Sequence, residues 1–81
     1  MKKAWVSMVD KLQWNERIRY ERLKRGWSQE MMAAHLRVDT RTVRDWEAGR
    51  HAPNFACRQQ LSSIYMLSIE ELGLLNPQLV K

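Results

Sequence analysis

Thr40, Arg41, Arg44 and Asp45 fall within one short stretch that also carries Val43 and Trp46. The two apolar residues lie three apart on one helical face, and the four polar ones are the face left over. Their chemistry suits recognition of a nucleic-acid edge. An arginine donates a pair of hydrogen bonds to guanine in the major groove, and a threonine touches a thymine methyl. Upstream, Ser28-Gln29 opens another helix, whose free backbone N–H groups and glutamine amide can hold a phosphate. Arg50 and Asn54 are further candidates for phosphate contact. Catalytic chemistry finds no comparable set. The chain has no Ser/His/Asp arrangement, metal motif or phosphate-cradling loop, and 81 residues leave little room for a pocket. His35 and His51 have no carboxylate or cysteine at ligand spacing, so no metal or cofactor is expected. The reading is a binding protein, not an enzyme.

Such residues need short helices to position them. Asn15 is the expected cap of a first helix in which Ile18, Arg22 and Leu23 follow at helical spacing, and Gly26 stops it. Ser28 caps a second helix with Met32, Ala33 and Leu36 on its apolar side; Met31 occupies the place of a capping-box glutamate. Asp39 caps a third helix, residues 40–47, ended by Gly49. Asn54 caps a fourth, with Cys57, Leu61, Ile64 and Tyr65 inward, and Ser68-Ile69-Glu70-Glu71 is a complete capping box opening a short fifth. Met32, Leu36, Val38, Val43 and Trp46 form one apolar set that locks the second helix against the third. Met31, Trp27 and Cys57 are read as core. No alternating β-branched run appears, so the fold is expected to be all-α, a compact arrangement of five helices.

Charge and length support this reading. Lysine and arginine total 14 against 9 acids, and the excess lies in residues 1–50, the bias of a protein that meets a polyanion. The opening stretch, Met1 to Asp10, imitates a signal peptide only faintly, because Ser7 interrupts it and Asp10 ends it. No run approaches the roughly 18 apolar residues of a membrane span. With a single cysteine, a cytoplasmic setting is expected. Residues 1–14 are read as a partly ordered extension, 15–75 as the domain and 76–81 as a tail.

The string from Ile18 to Glu30, with Gly26-Trp27-Ser28-Gln29-Glu30 at its end, is followed by Ala33, Leu36 and Val38. Then come Arg41-Thr42-Val43-Arg44-Asp45-Trp46-Glu47-Ala48-Gly49-Arg50 and Pro53. On these residues the chain resembles the phage-repressor and Cro-like helix-turn-helix proteins of bacteria and phages, the XRE family, over residues 15–75. The resemblance implies a repressor-like helix-turn-helix fold and a transcription regulator that binds double-stranded DNA. It places the family's phosphate-binding glutamine on Gln29 and its base-reading positions on Thr40, Arg41, Arg44 and Asp45. It also places a buried structural Arg–Glu pair on Arg22 and Glu47. One departure stands out: Arg37 occupies the position where the family's turn usually has glycine, so the residue must adopt a left-handed conformation at some cost or alter the turn.

The closing Ser68-Ile69-Glu70-Glu71-Leu72-Gly73 resembles the N-terminal domains of larger bacterial regulators, which implies further C-terminal domains as possible partners. The competing reading is the same fold used as a protein-interaction module, antitoxin-like or as a docking domain. RNA is disfavoured, since no clustered aromatic platform is present. Asp45 has a plainer alternative role as a helix-surface charge or a partner for Arg41. In free solution a monomer or weak homodimer is expected, pairing on DNA, with Leu74, Leu75, Leu79 and Val80 as one contact and Trp5, Met8 and Val9 as another.

Overall fold

Val9 and residues 11–79 are described by a computed structural model of the chain. Among them four α-helices follow one another, α1 Trp14–Lys24, α2 Gln29–Leu36, α3 Thr40–Glu47 and α4 Phe55–Tyr65, and no strand is present. None of these helices is long and apolar enough to cross a membrane. Trp5, Met8 and Val80 lie outside the described residues, and Val9 is half-buried.

The first helix starts earlier than Asn15. Gln13 is its cap, and the Glu16 carboxylate accepts the Gln13 backbone N–H at 3.0 Å. Asn15 is buried inside the helix instead, where its amide donates to the Glu47 carbonyl at 3.2 Å. Trp14, the first helical residue, belongs to the core, and its indole N–H donates to the Gln78 carbonyl at 2.7 Å. Gly26 terminates the helix at φ 74, a conformation that costs glycine little.

The turn between α2 and α3 has a left-handed residue that is not glycine. Arg37 caps α2 in the left-handed region, φ 58 and ψ 45, and its N–H and that of Val38 return to the end of α2. Of the two expected alternatives, the chain takes the left-handed conformation, which carries a cost for a residue with a Cβ.

The expected fifth helix is a single turn. Its capping box is formed, with Ser68 N–H on the Glu71 carboxylate at 2.8 Å and Glu71 N–H on the Ser68 hydroxyl at 2.9 Å. Gly73, at φ 74, reverses the chain before a second turn can add to the nucleus. The turn still delivers Leu72 and Leu74 to the core, so Leu74 is unavailable as a contact for another copy, whereas Leu75 and Leu79 are exposed.

Ile18, Met32, Val43, Leu61 and Leu72 lose all solvent contact, with Leu36, Trp46, Cys57 and Tyr65 around them. Val38, Ile64 and Trp27 are partly buried against this cluster. Tyr65 donates its hydroxyl to the Ile18 carbonyl at 2.9 Å, which ties α4 to α1, and burial pushes the phenol's pKa up. Met31, expected inside, lies outside, and Leu23 joins it there. Leu23 and Met31 are about half exposed, because α1 and α2 present them away from the single apolar seam that so small a core can fill.

Candidate nucleic-acid interface

Glu47, the last residue of α3, fixes that helix to the rest of the molecule. Its carboxylate accepts Arg22 Nε at 2.6 Å and Arg22 Nη2 at 3.0 Å, a bidentate pair between α1 and α3. Both side chains are more than nine-tenths buried. The third Arg22 nitrogen donates to the Trp27 carbonyl at 2.8 Å, so the guanidinium also fixes the approach to α2. Hydrogen bonding to Glu47 outweighs burial and raises the Arg22 pKa further. Gln29 adds a donor from the start of α2, Nε2 to Glu47 Oε1 at 3.1 Å. One carboxylate thus holds three helices in register, and burial of Val43 and Trp46 sets which face of α3 remains outside.

That outer face carries Arg41 and Arg44, both exposed, with Thr40 half-buried at the first helical position. Among the described residues neither arginine has a hydrogen-bond or ion-pair partner. Asp39 caps the helix by position only, since its side chain makes no capping hydrogen bond. The polar residues then diverge. Arg44 lines an open cleft of about 530 Å³ with Arg19, Ser28, Gln29 and the Arg22–Glu47 pair. Asp45 turns the other way, into a hollow shared with Thr42, His51 and Asn54. There it takes Arg50, at 3.3 Å, as its partner in place of Arg41.

The phosphate-contact candidates are partly engaged already. Ser28 Oγ accepts the Met31 N–H at 3.0 Å, which leaves its own hydroxyl hydrogen free. Gln29 retains a second amide hydrogen and the unpaired N–H groups of the first turn of α2. Asn54 caps α4 by accepting the Cys57 N–H at 2.8 Å, and Arg50 is largely exposed beside Asp45.

Two charged residues escaped the sequence reading. Arg19 precedes Arg22 by three positions and so shares its face of α1, a spacing visible in the sequence. Glu21 is buried and serves as a second hub, accepting Arg25 at 2.7 Å and Arg17 at 3.0 Å, with Lys24 at 3.4 Å. Burial pushes its pKa up, but the Arg25 and Arg17 hydrogen bonds prevail and hold it below the usual carboxylate range. Arg25 also stacks over Tyr65 and donates to its carbonyl at 2.8 Å, closing the end of α4. Among the described residues no three histidine, cysteine or acidic groups gather as a metal site. His35 packs its ring against Trp27 instead.

A comparison with curated proteins produced no match. A helix-turn-helix family model matches residues 18–72, from the middle of α1 through the turn that follows α4. On that match, which spans most of the chain, the protein belongs to the XRE-type helix-turn-helix family of DNA-binding domains.

Proposed function

We propose that the chain is a sequence-specific regulator of transcription that places α3 in the major groove of double-stranded DNA. The supporting observation is the division of α3 itself. Its inner face and its last residue are fixed by the core and by Arg22, while Arg41 and Arg44 face solvent with no partner in the described chain. Held on a rigid helix, two unpaired guanidiniums are available to hydrogen-bond guanine edges, and Thr40 beside them is available to a thymine methyl. Asp45 contributes to base reading once the solvent-exposed Arg50 leaves it for a phosphate. Ser28, Gln29 and Asn54 position the domain on the backbone. Two copies pair on a palindromic operator, each covering one half-site, with exposed Leu75 and Leu79 as the contact. The regulator works in the cytoplasm and has no catalytic role.

Selection of duplexes from a randomised pool, followed by titration of the winner at stepped salt, tests the proposal. The expected result is enrichment of one motif and binding that weakens steeply with salt. Retention of no duplex above background overturns it and favours the protein-interaction reading.

A further inference from the structure

Arg19 stands out among the arginines of α1. Arg17, Arg22 and Arg25 are each bound to a buried carboxylate, whereas Arg19 is exposed and has no hydrogen-bond or ion-pair partner among the described residues. Glu16, one turn away on the same helix, already accepts the Gln13 N–H and forms no ion pair with Arg19. The cleft that Arg19 lines has three arginines and a single acid, Glu47. Both oxygens of that acid are taken by Arg22 and Gln29. The lining therefore offers an anion two free guanidiniums, Arg19 and Arg44, and no free carboxylate to repel it.

Resting on the DNA-binding reading above, we propose that Arg19 is a backbone contact, gripping a phosphodiester that sits across the mouth of this cleft while Arg44 beside it reaches the base edge. The cleft is open along the surface between α1 and the exposed face of α3, which suits one phosphate of a continuous strand. An arginine fork across it meets the phosphate oxygens with paired hydrogen bonds. The footprint on DNA then extends past α2 and α3 to α1.

The test uses the full chain and compares Arg19→Ala, Arg19→Lys and the parent protein on the selected duplex and on a random one. Each phosphate neutralised adds about 0.9 to the slope of log affinity against log salt. Between about 50 and 200 mM salt the parent therefore loses roughly 3.5-fold more affinity than Arg19→Ala. The variant weakens both duplexes equally, Arg19→Lys recovers the parent slope, and thermal unfolding of all three coincides. Inorganic phosphate added at constant ionic strength leaves the parent's DNA binding unchanged. An unchanged slope in Arg19→Ala, while the parent still binds DNA, overturns the role of Arg19 and leaves the DNA reading standing. A loss confined to the selected duplex makes Arg19 a base contact and overturns the proposal. Competition by inorganic phosphate at constant ionic strength marks a free-anion site and overturns it as well. A parent that binds no duplex overturns both readings.

Discussion

Glu21 and Arg22 are neighbours in sequence and project about 100° apart from the same helix. Arg22 points toward α3 and is answered by one carboxylate, Glu47; Glu21 points toward α4 and is answered by Arg17, Lys24 and Arg25. Around both, arginines are spent on holding helices together. On the outer side, Arg19, Arg41 and Arg44 hold nothing within the described chain. The same residue type thus does two jobs, and burial beside a carboxylate decides which. A basic total of 14 residues therefore overstates the charge available to a polyanion, because Glu47 neutralises Arg22 and Glu21 offsets one of the three charges of Arg17, Lys24 and Arg25.

The sharpest way to break this contrast is at Glu47. Glu47→Ala leaves Arg22 buried without its counter-charge, and the expected loss is about 3–5 kcal/mol. That is a large share of a small domain's stability, so the urea midpoint falls far or the fold fails outright. A shift near zero would mean that the pair behaves as an exposed one.

The Glu21 hub comes next. Glu21→Gln weakens its charge-assisted hydrogen bonds and is expected to cost about 1.5–3 kcal/mol, read from the same denaturation curve. Acid probes the same group without mutation. Its carboxyl holds its charge to lower pH in the folded chain than in the unfolded one. As pH falls the unfolded chain takes up the proton first, so this stabilisation is complete at neutral pH and is lost in acid. Glu21→Gln accordingly flattens the acid limb of the stability profile.

Arg41 tests the other side of the comparison. Arg41→Ala is expected to cost about 1–3 kcal/mol of binding and to relax preference at one base pair. The unfolding midpoint stays within about 0.5 kcal/mol of the parent, as for other exposed positions. Equal loss on every duplex, with a shallower salt slope, would make Arg41 a phosphate contact.

The smallest effect belongs to an arginine in neither group. Arg37 carries a left-handed backbone, and Arg37→Gly removes a strain of about 1–2 kcal/mol. Roughly 0.5–1 kcal/mol of that returns as lost chain entropy. The net gain, about 0.5–1 kcal/mol, raises Tm by about 2–8 °C.

These residues also show what a sequence makes legible. Val43 and Trp46, Met32 and Leu36, and the caps Ser28 and Asn54 are local signals, and each governs the element it predicts. Arg22 and Glu47 lie 25 positions apart, and no local pattern joins them; only the resemblance named them. Glu21 gave no signal, since a glutamate among bases on a helix reads as a solvated face until α4 and the 68–73 turn close over it. The fifth helix failed for the opposite reason: its capping box is sound, yet a cap cannot lengthen a segment that glycine ends after one turn. Arg19 was legible by spacing from Arg22, but its cleft exists only once α2 and α3 are in place.

The central claim is that the unpartnered side of α3 meets DNA while the side of α1 braced by Glu21 does not. Backbone amide shifts of the labelled chain, followed as the selected duplex is added, test it most directly. The account predicts large shifts at Ser28, Gln29, Thr40, Arg41 and Arg44, and small ones at Arg25, Tyr65 and Met66. Shifts centred on the α1–α4 contact, with α3 silent, would contradict it.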